Sequence, residues 1–115
     1  MKARLTHVEF PVFSDFIVHI EVTSDFKKSF SKYPLTENIP EEECGSWEAM
    51  TAHDDEGSIS FLFIKPDASV GTIAHESWHV IKRMLDTRGV DLDNETVAYH
   101  LGYLVDKVFQ FVRGK

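Results

Sequence analysis

Two histidines and a glutamate stand in the run His75-Glu76-Ser77-Trp78-His79, and their spacing suits metal chemistry. Residues four apart lie on one face of a helix, so His75 and His79 can direct their imidazoles at one ion. Glu76 follows His75 directly, in position to take a proton from a water held at that ion. The pattern therefore predicts a zinc site with a general base beside it.

Helical phasing places both histidines away from the predicted core. With a step of about 100° per residue, the apolar residues between positions 70 and 85 collect on one side of a helix. This stripe consists of Val70, Ile73, Ala74, Val80, Ile81, Met84 and Leu85. His75 and His79 fall on the far side, beside Lys82 and Asp86, so we expect them to face a cleft or solvent.

The predicted helix has recognisable ends. Pro66 stops the preceding strand, and Asp67 or Ser69 can cap the first free amide groups. Gly89 is the expected left-handed residue beyond the last turn. A helix of about twenty residues thus carries the motif near its middle.

A catalytic zinc usually has three protein ligands, so a third is expected elsewhere in the chain. A second helix is predicted from a cap at Asp93 or Asn94 to about residue 112, with Glu95 in its first turn. Ala98 and Gly102 share the face of Glu95. Small side chains there would let the two helices approach closely.

The path between the helices leaves the third ligand open. A loop that folds back brings Glu95 to the histidines, whereas a tight antiparallel hairpin places His100 or Tyr103 opposite His79. Asp91 and Asp93 are further alternatives. Glu95 can also be a first-turn acid that only complements the helix dipole, and His100 a partly buried histidine bonded to the backbone.

Residues 72–79 and 94–103 resemble the zincin metallopeptidases, in particular small gluzincin-like proteins carried by phages and prophages. The likeness covers about residues 70 to 112. It implies that Glu95 completes a Zn²⁺ shell with His75 and His79, and that Glu76 is the catalytic base. The implied activity is the hydrolysis of a protein or peptide substrate.

One departure from that family concerns Tyr99. Larger gluzincins usually place an aspartate about four residues after the ligand glutamate, where it orients a ligand histidine. Here Tyr99 occupies that position, so Asp106 or Asp91 would have to supply the carboxylate. Tyr99 itself can donate a hydrogen bond to a developing oxyanion in the substrate, or simply pack between the helices.

The first sixty-five residues predict a sheet. Alternation or apolar runs indicate strands over 5–10, 16–23, 47–53 and 58–64, the last two joined by a turn that ends at Gly57. Residues 24–45 look irregular, with a helical turn or two that places Phe26, Phe30 and Tyr33 on one side. We predict an α+β fold, an antiparallel or mixed sheet of about four strands followed by two helices, as in a mini-zincin. Either the strand before the motif helix or another strand then forms the edge beside the cleft.

Length and charge limit the remaining possibilities. The 115 residues predict one domain over 1–115, and the net charge of −7 argues against nucleic acid or an anionic membrane as partner. No apolar run approaches the length of a membrane span. Cys44 is the only cysteine, which is typical of a cytoplasmic protein without internal disulfides.

A second function also fits these residues. The chain could be a zinc-binding protein–protein interaction module, inactive or dependent on a partner, encoded by a phage or mobile element. The presence of Glu76 argues against that alternative, because a purely structural zinc site has no use for a general base.

Overall fold

A mixed four-stranded sheet and two long helices form the described part of the protein, residues 3–30, 48–54 and 58–114 of a computed structural model. The strands are β1 (Arg4–Glu9), β2 (Ile17–Val22), β3 (Ala49–His53) and β4 (Ile59–Ile64). The helices are α1 (Phe26–Phe30), α2 (Val70–Thr87) and α3 (Asn94–Val112). The α+β prediction, a sheet followed by two helices, is confirmed.

Some expectations fall outside the described residues. They concern the side chain of Tyr33, the start of the third strand at residue 47, the turn at Gly57 and the thiol of Cys44.

The strand order places β3, and not β4, at one end of the described sheet. The order is β1-β2-β4-β3, with β4 parallel to β2 and antiparallel to β3. β4 is apolar except for Ser60, as expected of a strand that is paired on both sides. The sequence left open whether the strand before the motif helix or another strand forms the edge beside the cleft. That edge strand is β3, and not β4, the strand that precedes the motif helix in the chain.

The core lies between one face of the sheet and the two long helices. Alternate residues of β2 and β4 are fully buried against apolar residues of α2 and α3. The main contributors are Val18, Ile20, Leu62, Ile64, Ile73, Ile81, Leu85, Leu104 and Val108. Each helix has only one such stripe, and none in the described part of the chain is both long and apolar enough to cross a membrane.

Helix α2 largely follows its sequence prediction. Ser69 is the N-cap, its hydroxyl accepting a hydrogen bond from the amide of Thr72 at 3.1 Å. Gly89 adopts a positive φ of 65° after the last turn, as expected. The predicted stripe is wrong at Val70, the first residue of the helix, which is 53% exposed.

Helices α2 and α3 form a tight antiparallel hairpin. The guanidinium of Arg113, just after α3, donates to the carbonyl of Ala68, just before α2, at 3.0 Å. Asp93 caps α3 by accepting from the amide of Thr96 at 2.8 Å. The start of α3 therefore lies near the end of α2, and of the two paths considered from sequence the structure has the hairpin.

A pair of histidines occupies the sheet face that points away from the two long helices. His19 alternates with the buried Val18 and Ile20, stacks on Phe61 at 5.3 Å between ring centroids, and lies opposite His7. Burial lowers the pKa of His19 below its ordinary value of 6.5, and the neighbouring His7 lowers it further. His19 is therefore harder to protonate in the folded protein than in the unfolded chain.

This shift predicts a pH effect on folding. Below pH 6.5, the ordinary value for His19, the unfolded chain binds more protons than the folded one, so stability falls as pH falls. We expect His19→Phe to make that loss smaller while keeping a ring against Phe61. Urea unfolding midpoints at about pH 7.5 and about pH 5.5 check it. Equal pH dependence in the two proteins would contradict the assignment.

Candidate metal centre

His75 and His79 converge as two ligands of one ion would. Their Nε2 atoms lie 3.2 Å apart, and the rings meet edge to face with centroids 4.9 Å apart. Two nitrogens bound to a tetrahedral zinc at about 2.0–2.1 Å are separated by about 3.3 Å. Both side chains are exposed, on the side of α2 that faces away from the core, as the phasing predicts.

The carboxylate of Glu76 lies beside the two histidines. One carboxylate oxygen, Oε2, lies 3.7 Å from Nε2 of His75, and the side chain is only 13% exposed. The other oxygen, Oε1, accepts a hydrogen bond of 2.7 Å from the hydroxyl of Thr51 on β3. Ligand atoms of His75, Glu76 and His79 all lie within 4.8 Å of one another, and this is the metal-suited group found among the described residues.

Edge strand β3 runs alongside α2 in the same direction, and the two are in contact at every third residue from 48 to 54. The carboxylate of Glu48, just before β3, accepts from the amide of Ser69 at 3.1 Å, and this bond and one from the Thr72 hydroxyl lower its pKa. Thr51 contacts Glu76, and further on Arg83 donates to the carbonyl of Asp54 at 2.7 Å. From residue 48 to 54 a strand rises about 20 Å, and from 69 to 83 a helix rises about 21 Å. The strand and the helix therefore advance by nearly equal distances between the first contact and the last.

A cavity of about 280 Å³ lies between β3 and α2. Its lining residues are Ala49, Met50, Thr51, His53, Glu76 and His79. A second cavity, of about 220 Å³, adjoins it and is lined by His53, His79, Lys82, Arg83 and Asp86. Of the predicted residues, Glu76 and His79 thus border a cleft along the edge strand.

His53 is a residue of this cleft that the sequence reasoning missed. Its Nδ1 is 2.7 Å from the hydroxyl of Ser60 on β4, and the ring is half-buried. Burial lowers the pKa of His53 below 6.5, with further lowering by Arg83 and His79 and an opposing effect of Asp54. Alternation along β3 puts His53 on the face of Thr51, but nothing in the sequence shows that this strand lies next to α2.

The structure does not bring Glu95 into the group of three. Glu95 is exposed in the first turn of α3, at the far end of the hairpin from the start of α2. Tyr99 is 55% exposed, its ring edge-on to His100 at 5.0 Å. Asp91 and Asp106, considered as orienting carboxylates, are exposed as well. The roles of Glu95 and Tyr99 at the metal stay predictions.

His100 is held in a different environment. It is 4% exposed, its Nδ1 donates to the carbonyl of Thr96 at 2.8 Å, and Phe10 and Phe13 lie against its ring. Its Nε2 is buried and has no hydrogen-bond partner among the described residues. This is the backbone-bonded histidine considered from sequence, and it is not a member of the group formed with His79.

Comparison of the chain with models of protein families, with curated proteins and with solved structures gave no match. The case for function therefore depends on the residues of the cleft themselves.

Proposed function

We propose that this chain is a zinc-dependent metallopeptidase-like domain of the small zincin type, of the kind that phages and prophages carry. The observation that carries the proposal is the 3.2 Å separation of the Nε2 atoms of His75 and His79, with the carboxylate of Glu76 beside them. Two imidazole nitrogens at this separation fit the tetrahedral preference of zinc.

The chemistry assigned to the site is hydrolysis of a peptide bond. Zinc, when bound, supplies a lowered pKa for water and polarises the scissile carbonyl. Glu76 takes a proton from the attacking water, whose oxygen bonds to the carbonyl carbon, and delivers a proton to the amine as the C–N bond breaks. The Thr51 hydroxyl holds Oε1 of Glu76, which leaves Oε2 on the side of His75 for this transfer.

The edge strand supports a peptide as the substrate. β3 is at the end of the described sheet and pairs only with β4 there, so its other side can accept an extended chain as an additional strand. Such a chain would lie along the cavity that His79 and Glu76 line. Main-chain hydrogen bonds to β3 would then hold the scissile bond beside the group of three.

A zinc-binding interaction module is the second candidate function. The side chain of His75 is 67% exposed, more than a closed catalytic cleft requires, and a partner chain could cover it. The 13% exposure of Glu76 and its bond to Thr51 favour catalysis, because both hold a base in place that an interaction module would not use.

Metal content together with proteolysis tests the proposal. We expect the purified protein to hold about one zinc per chain, because His75 and His79 form one converging pair among the described residues. Cleavage of a peptide mixture, read by mass spectrometry, should stop with a chelator and return with zinc. Zinc content near zero after refolding with zinc would contradict both candidate functions, whereas bound zinc without cleavage would favour the interaction module.

A further inference from the structure

The proposed zinc site needs one more protein ligand than the motif supplies. Catalytic zinc usually has three protein ligands and one open position, and only His75 and His79 are assigned as ligands if Glu76 is the base. Glu95 lies outside their group. His100 is bonded to Thr96 and packed against phenylalanines.

His53 is the other histidine that shares a cavity with His79. It lines both cavities beside α2, whereas His7 and His19 lie on β1 and β2 and face each other on the other side of the sheet. His53 is two residues beyond Thr51 on the same face of β3, and Thr51 already contacts Glu76. Its strand position therefore directs it at the turn of α2 that carries His79.

The hydrogen bond of His53 suits a metal ligand. Its Nδ1 is 2.7 Å from the hydroxyl of the fully buried Ser60. Ligand histidines commonly use one ring nitrogen for such a bond, which orients the ring and leaves the other nitrogen for the metal. In His53 the nitrogen left over is Nε2, the same atom that His75 and His79 present to each other.

We infer that Nε2 of His53 is the third protein ligand of the metal that His75 and His79 hold, so that the site joins edge strand β3 to helix α2. The inference rests on the proposed zinc site. His53 lies outside the group of three, so ligation requires its ring, or the end of β3, to move toward His79.

Zinc affinity in matched variants tests the inference. His53→Ala, Glu95→Ala and His7→Ala are titrated with zinc against a competing chelator, His7 being an exposed histidine on the other side of the sheet. We expect His53→Ala to weaken binding by more than about a hundredfold, beyond the effect usual for residues that only orient a ligand. Glu95→Ala and His7→Ala should stay close to the wild type. Loss of affinity in Glu95→Ala, with His53→Ala unchanged, overturns the inference and leaves the zinc site in place.

A second measurement uses the wild-type protein, so that it tests the inference even if a variant fails to fold. Long-range ¹H–¹⁵N correlation spectra distinguish protonated, free and metal-bound nitrogens in each of the six histidines. At saturating zinc we expect Nε2 of His53, His75 and His79 to be metal-bound. A His53 that keeps a free or protonated Nε2 overturns the inference, and a chain in which no histidine responds to zinc overturns the proposed function as well.

Discussion

Glu76→Gln is expected to lower hydrolysis by about a hundredfold or more while zinc content stays near one per chain. Glutamine keeps the shape of the side chain and can still accept the hydrogen bond that Thr51 donates at 2.7 Å, so the cleft should keep its form. It cannot take a proton from water. The expected result is a loss in kcat with little change in zinc affinity or thermal unfolding.

Thr51→Val is the matched control for this experiment. It removes only the hydroxyl that holds Oε1 of Glu76 and keeps a β-branched residue on strand β3. We expect an intermediate loss of activity, smaller than that of Glu76→Gln, because the carboxylate remains but is less well oriented. If Glu76→Gln cleaves a substrate as fast as the wild type, Glu76 is not the general base.

His79→Ala is expected to reduce zinc content from about one per chain to near zero. The 3.2 Å pairing of Nε2 atoms is the basis of the site, and without His79 helix α2 keeps only one nitrogen of this pair. Because the His79 side chain is exposed and lies away from the core, the variant should fold normally. Elemental analysis after gel filtration in zinc-containing buffer gives the measurement, with circular dichroism as the check of folding.

His7→Ala provides the comparison, since it removes an exposed histidine on another face and should leave zinc content unchanged. Binding by the wild type should also weaken as pH falls, because an imidazole must be neutral to coordinate a metal. A His79→Ala protein that still holds one zinc would show that the metal lies elsewhere, and the proposed mechanism would fall with it.

The sequence alone determined the parts of the site that depend on one helix. His75, Glu76 and His79 converge because a helical period of 3.6 residues brings positions four apart together, whatever the rest of the fold does. The same local rules predicted the cap at Asp67 or Ser69, of which Ser69 is the cap, and the left-handed residue at Gly89. Alternation and apolar runs likewise predicted the four strands, since a strand buries every second residue.

Tertiary packing decided which residues from elsewhere reach that helix. Strand order depends on pairings between distant segments, and only the order β1-β2-β4-β3 shows that Thr51 and His53 lie beside α2. Helix α3 buries Leu104 and Val108 in the core, and Glu95 stays exposed in its first turn. His100 is buried against the rings of Phe10 and Phe13 and bonded to the carbonyl of Thr96, and it is not in the group of His79. These outcomes depend on contacts between residues far apart in the chain, which no local spacing encodes.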